Sequence, residues 1–179
     1  RMGGGFRLLM ASSWVSNLAD GISLAAGPLL VASLTRDPLL VALAPLLQQL
    51  PWLLFGLYAG ALADRLDRRV LIVTVDLLRA VLIAGLAIFV ATDQATIVIV
   101  LVAVFCFGLA EVFADTTSST LLPMLVKKED LGIGNARILA GHITVNQLIG
   151  PPLGAVLFAA GMAFPFFTQA ACVALAALL

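Results

Sequence analysis

Several ionisable side chains stand where they are expensive. Asp20, Asp76, Arg79, Glu111, Asp115 and His142 all lie inside long runs of Leu, Val, Ala and Ile. A carboxylate deep in an apolar medium costs about 3 kcal/mol or more unless it meets water, a partner or a proton. Ser13, Ser16, Asn17, Asp20 and Gly27 recur at helical spacing and make one polar stripe on an otherwise apolar rod. Asp20 is therefore either a protonatable cavity residue or a buried hydrogen-bonding clamp between helices. Glu111, Asp115 and Ser119 follow at four-residue steps and share a face. The deeper Glu111 is expected to line a transport path or carry a proton, and Asp115 to lie near the aqueous boundary as a latch for Arg65, Arg69 or Arg79. Asp76 and Arg79, one turn apart, are expected to neutralise each other near the same boundary. His142, Asn146, Gly150 and Gly154 form a slowly drifting stripe in which His142 could titrate between about pH 5 and 8.

The elements that must carry these groups are membrane helices. The chain has 179 residues, 62% of them hydrophobic and 11% charged, with a mean hydropathy of +1.13. An average soluble domain is about 25% charged. The apolar runs do not alternate, which excludes a β-barrel reading, and at about 20 residues per span there is room for six helices. The predicted spans are 8–34, 39–62, 70–91, one from about Thr96 towards Pro123, 133–160, and a last one from about Ala163. Pro45 and Pro51 should kink the second span, and the Gly56-x-x-x-Gly60 step should admit a close helix neighbour. Gly150-Pro151-Pro152-Leu-Gly154 should break the fifth and permit close helix contact there.

Charge gives the orientation. Arg1, Arg7, Arg65, Arg68, Arg69, Lys127 and Lys128 fall on one side of such a chain and only Arg36 on the other. Positive residues stay inside, so both ends of this segment are expected in the cytoplasm of a multi-pass membrane protein. The first apolar run carries Asn17 and Asp20 and is too long for a signal core, so no cleaved signal is expected. Cys106 and Cys172 read as small core residues, and no metal-ligand spacing, cofactor motif or nucleic-acid-binding feature is present. The final Ala-Ala-Leu-Leu lies in an unclosed apolar run, and the chain is expected to be a piece of a longer protein. A membrane-embedded enzyme using Glu111, Asp115 and His142 is the rival class, but no paired-Asp, His-x-x-x-His or Gly-x-Ser-x-Gly element supports it.

The loop Gly60-Ala-Leu-Ala-Asp64-Arg65-Leu-Asp67-Arg68-Arg69 resembles the inter-helix signature of the major facilitator superfamily, Gly-x-Leu-x-Asp-Arg-x-Gly-Arg-Arg, with Asp67 in place of the second glycine. Gly150-Pro151-x-x-Gly154 resembles the fifth-span motif of its exporters. The run from Asp115 to Val126, with Glu129-Asp130-Leu131 and Asn135-Ala136, resembles the enterobactin-exporter and macrolide-efflux subgroup. The resemblance implies an all-α membrane fold: the amino-terminal six-helix bundle of a twelve-helix transporter, built as two inverted three-helix repeats, its carboxy-terminal bundle absent from this sequence. It also implies an inner-membrane, proton-coupled exporter or antiporter of a hydrophobic or amphiphilic small molecule, with protons, membrane lipid and the missing half as partners. Asp64, Arg65, Arg68, Arg69 and Asp115 would form the cytoplasmic charge latch, and Gly150, Pro151 and Gly154 the helix break. Asn146 and Arg137 stand where the fuller exporter motif has glycines, and the fourth span lacks the arginine of many proton-coupled members. Asp20 and Glu111, with Asn17, His142 and Asn146, are then the expected substrate and proton pathway. A lipid flippase on the same fold would share every one of these motifs.

Overall fold

The computed structural model describes residues 4–179; Arg1 lies outside them. Helices account for nearly all of the described chain: α1 (Gly4–Leu34), α2 (Pro38–Arg65), α3 (Arg68–Ala91), α4 (Ile97–Leu125), α5 (Leu131–Gly141), a π-helical segment (His142–Ile149), α6 (Gly150–Ala160) and α7 (Phe164–Leu178). A single 3-10 turn, Lys128–Asp130, precedes α5. Among the described residues five helical stretches are long and apolar enough to cross a membrane: α1, α2, α3, α4 and the continuous run Lys128–Ala160. The sixth expected span, α7, is apolar but has 15 residues, or about 22 Å of helix against a hydrocarbon core about 30 Å thick.

Short polar connections set the ends of these rods. Asp37 caps α2 by accepting from the Leu39 amide at 2.9 Å, with Pro38 in the first turn where its missing N–H costs nothing. Asp67 does the same for α3, its Oδ1 accepting from the Arg69 and Val70 amides at 2.9 and 3.3 Å. The residue that departs from the signature loop is thus the one that starts the next helix. Thr96 caps α4 through the Ile99 amide.

The fifth span bends differently from the break expected of it. Pro151 and Pro152 have no amide hydrogens, so the carbonyls four residues before them lose their donors. The helix does not break: it widens over His142–Ile149, where the Gly150 amide reaches back five residues to the Val145 carbonyl. Pro28, Pro45, Pro51 and Pro123 are carried inside continuous helices.

Helix α1 is the buried centre of the bundle, touching α2, α4, α5, the π-helical segment, α6 and α7, while α4 also packs on α2 and α3, and α3 on α7. Close approach is achieved by glycine at the fifth-span motif, as expected, and at Gly21 and Gly108, but not at the Gly56–Gly60 step. A Cβ on Gly21 of α1 would lie 2.4 Å from the Asn146 carbonyl oxygen, one on Gly154 2.6 Å from that of Ile22, and one on Gly108 of α4 2.2 Å from that of Gln48. Gly56 has nothing within 4 Å, and Gly60 only a methyl at that limit. One apolar core joins Leu30, Val31, Val90, Val100 and Phe166, and a smaller one joins Phe6, Leu9 and Leu122. The outward faces are also apolar, up to Leu57 at 95% exposure, as lipid-facing helices require.

Candidate functional site

Arg79 is the side chain around which the polar interior is assembled. It is 0% exposed, and a bare guanidinium at that depth would be prohibitive. Its Nη1 donates to Ser16 Oγ and to Asp76 Oδ1, each at 3.0 Å, and its Nη2 pairs with Asp20 Oδ1. The guanidinium carbon lies 4.9 Å from the Phe107 ring centroid, a cation–π contact. Arg79 therefore ties α3 to α1 and α4. Asp20, 1% exposed, takes part as the clamp in that tie, and its other oxygen, Oδ2, has no hydrogen-bond partner. The Asp76–Arg79 pair sits inside the bundle rather than at its boundary, and Asp76 shares the guanidinium with a second carboxylate.

Two more acids converge on Asp20 from α4. One carboxylate oxygen each of Asp20, Glu111 and Asp115 lies within 4.8 Å of the others, a set that no sequence spacing suggests because it spans two helices. Among the described residues neither Glu111 nor Asp115 has a cation within salt-bridge distance. The three line a cavity of about 370 Å³ together with Leu24, Gln49, Trp52, His142, Asn146 and Gln147. Its walls come from α1, α2, α4 and the π-helical segment.

Next to it, Asn17 organises the fifth span. Its Nδ2 donates to the Ser13 carbonyl at 2.8 Å, which leaves its Oδ1 facing His142 Nδ1 at 2.7 Å and Asn146 Nδ2 at 3.5 Å. An amide oxygen can only accept, so His142 Nδ1 is the donor in that contact. His142 and Asp115 also line a second cavity of about 440 Å³ with Ser13, Asn17, Ser118 and Asn135. These two residues line both cavities.

The charged loop between α2 and α3 behaves as a surface feature. Asp64 pairs with Arg68 one turn on, at 3.5 Å, with Asp64 70% exposed, and Arg68 Nη1 meets Met124 Sδ on α4. Asp115 does not reach this loop: it faces the interior acids, and no ion pair to Arg65 or Arg69 occurs among the described residues. The latch expected from Asp64, Arg65, Arg68, Arg69 and Asp115 is thus represented within this bundle only by Asp64 and Arg68.

The family model described as transmembrane secretion effector, MFS_3, matches residues 3–179. The chain belongs to the major facilitator superfamily. Two uncharacterized MFS-type transporters, from Mycobacterium bovis and Mycobacterium tuberculosis, are each 30% identical over 132 residues. Those alignments cover 72% of this chain and 30% of the relatives' own length. The superfamily consists of membrane transporters.

The helices of this superfamily member bring Asp20, Asn17, Glu111, Asp115, His142 and Asn146 together, and leave Asp64, Arg65 and Arg69 at the loop. Three residues of the site escape the sequence pattern. Arg79 reads as the partner of its own helix neighbour, yet it serves α1 as well. Gln48, 2% exposed with Nε2 unpartnered, and Trp52 lie in a span that reads as plain and proline-kinked. The signal that could have found them was Gln48-Gln49 itself, two amides in the middle of an apolar run.

Proposed function

We propose that this chain is the amino-terminal six-span bundle of a secondary active exporter that moves a hydrophobic or amphiphilic small molecule out of the cell by alternating access, driven by protons. The observation that carries the reading is the convergence of Asp20, Glu111 and Asp115 on a cavity large enough for a small ligand, inside an otherwise apolar bundle. Acids kept at such cost are the groups a proton-driven transporter needs. The description of the matching family, a transmembrane secretion effector, accords with the outward direction.

The pattern of helix contacts supports an inverted-repeat construction. Exchanging the first three spans for the last three turns α2 on α4 into the fifth span on α1, turns α3 on α4 into α7 on α1, and returns α1 with α4 and α3 with α7 to themselves. Each of these pairs is a contact in the fold. In such a scheme the acids sit beside the repeat axis near the bilayer midplane, where rocking of two bundles changes which side reaches them. The cationic end holding Arg7, Arg65, Arg68, Arg69, Lys127 and Lys128 is then cytoplasmic, and the second bundle is the partner of the exposed faces of α2 and the fifth span. The site is of the kind an enterobactin- or macrolide-type exporter would carry in an inner membrane.

The test is substrate efflux by the full-length transporter in everted vesicles under an imposed pH gradient. Glu111→Gln and Asp115→Asn should each lower gradient-driven transport by about tenfold or more, as expected when about 1.4 kcal/mol or more of coupling is lost. Asp93→Asn, in the exposed turn after α3, should leave a coupled transporter. Full pH-gradient-driven transport in the Glu111→Gln, Asp115→Asn double variant would remove the proton assignment.

A further inference from the structure

Arg79 has a second side. Its terminal nitrogens are turned inward, Nη1 to Ser16 and Asp76 and Nη2 to Asp20, while its buried Nε meets no acceptor among the described residues. A buried N–H without a partner is costly, the more so on a charged group. The same side chain forms part of the floor of a groove of about 250 Å³ between α3 and α4, walled by Val75, Leu78 and Leu82 on one side and by Leu109, Ala110 and Phe113 on the other, with Cys106 beside them. Helix α2 leans on α4 and scarcely meets α3, which leaves the groove on the outer surface of the bundle, and Leu78 on its rim is 62% exposed. It shares no lining residue with the cavity of the three acids.

The walls say what would fill this space. A buried water is held by about two to four polar partners, and the only polar side chains on this wall are Arg79 and the thiol of Cys106. Arg79 lies near the middle of α3. At that depth in a hydrocarbon core about 30 Å thick a phospholipid brings only methylene groups, which would fill the volume and leave the donor unpaired. Charge narrows the choice further. A cation would face the guanidinium, and an anion would add a third negative charge beside Asp20 and Asp76, which already outnumber Arg79. A neutral apolar body with a single acceptor oxygen satisfies the aliphatic walls, the Phe113 ring and the Nε–H together.

We propose that the groove between α3 and α4 is a binding site, open to the lipid, for a neutral lipophilic molecule that presents a carbonyl oxygen to Arg79 Nε and its apolar body to Leu78, Leu82, Ala110 and Phe113. The site stands independently of the transport reading. Because Arg79 also holds Asp20 and Asp76, a molecule bound there connects the lipid-facing surface to the interior charges. Its occupancy stabilises the packing of α3 on α4 and α1 in proportion to its concentration in the bilayer.

The experiment is photolabelling of the full-length transporter in lipid nanodiscs with benzophenone, whose excited carbonyl inserts into neighbouring C–H bonds, followed by mass spectrometry of the peptides. Dicyclohexyl ketone and dicyclohexylmethane, nearly the same in shape and different in the acceptor, are the competitors, compared at equal concentration in the lipid. Saturable adducts are expected on segments 75–82 and 106–113. The ketone should protect them at a concentration lower by about tenfold or more than the hydrocarbon needs, the worth of one hydrogen bond to a charged donor. Ala110→Leu, which fills the groove from α4, should remove the adducts from both segments. Arg79→Lys keeps the positive charge, and its three donors match Ser16, Asp20 and Asp76 and leave none for the groove, so ketone and hydrocarbon should then protect alike. Far-UV circular dichroism and a monodisperse elution profile identify any variant that has failed to fold, and the comparison of competitors on the unsubstituted protein stands without variants. Equal protection by ketone and hydrocarbon on that protein would make the groove a seat for any acyl chain and overturn the proposal. Adducts that rise without saturation, or that persist in folded Ala110→Leu, would overturn it as well.

Discussion

At the scale of single residues the decisive fact is that one arginine serves two acids. Removing one member of a buried ion pair leaves an uncompensated charge, at a cost of about 3–5 kcal/mol, whereas neutralising the whole set is far cheaper. Arg79→Met should therefore depress the thermal unfolding midpoint of the detergent-purified protein strongly. Adding Asp20→Asn and Asp76→Asn to it should recover a large part of the loss. If the triple variant is no more stable than Arg79→Met alone, the interior charges are not held by Arg79 in the way its contacts with Asp20, Asp76 and Ser16 indicate. Asp67 offers a smaller effect at the surface. Its cap on the Arg69 and Val70 amides is worth about 1 kcal/mol to α3 when replaced by Ala, and faster hydrogen exchange at those two amides in Asp67→Ala would register it.

At the scale of elements, helix packing depends on where side chains are missing. Gly21→Ala and Gly108→Ala would place a methyl carbon 2.4 and 2.2 Å from backbone oxygens of the neighbouring helices. Backbone cannot yield as a side-chain tip does, so each should cost about 1–3 kcal/mol of stability. Gly56→Ala, with open space around it, should be neutral or stabilising by up to about 1 kcal/mol, the helix-propensity difference. Thermal unfolding of the three variants side by side tests the packing directly. Equal effects at Gly21 and Gly56 would contradict it.

These glycines also show why some features were legible in the sequence and others were not. Spans one to five follow from apolar length, and their ends from Asp37, Asp67 and Thr96, all of which act through local bonds. Close approach requires a partner helix, so the spacing of Gly56 and Gly60 looked as informative as Gly21 or Gly108. The expected break at Gly150-Pro151 appears as a π-helical widening before it, because the prolines remove hydrogen bonds from the carbonyls that precede them. Asp115 is the clearest case. Its four-residue spacing from Glu111 placed both on one face, but only the rotation of α4 against α1 decides whether that face meets the loop arginines or Asp20.

At the scale of the whole molecule, the bundle is a set of apolar rods with one polar seam, and that seam opens towards the faces of α2 and the fifth span. Two cavities share Asp115 and His142 as their common wall. Those two residues line both the chamber of the three acids and the chamber with Ser118 and Asn135, and the proposed export mechanism puts them on the substrate's route. His142→Gln, which keeps a side-chain donor towards Asn17, should retain folding while slowing proton-driven exchange. Unchanged exchange rates would remove His142 from the path.

Alternating access requires that the acid-lined cavity be reached from each side of the membrane in turn. Gln147 lines it and is exposed, so it is the position to probe. The measurement is the reaction rate of Gln147→Cys with a membrane-impermeant maleimide, in an otherwise cysteine-free full-length transporter, from right-side-out and from everted vesicles. A translocation route through this cavity predicts labelling from both sides, with the balance between them shifting when a pH gradient is applied and fixed in the Glu111→Gln background. Labelling from neither side, or from one side at a rate indifferent to gradient and Glu111, would contradict it.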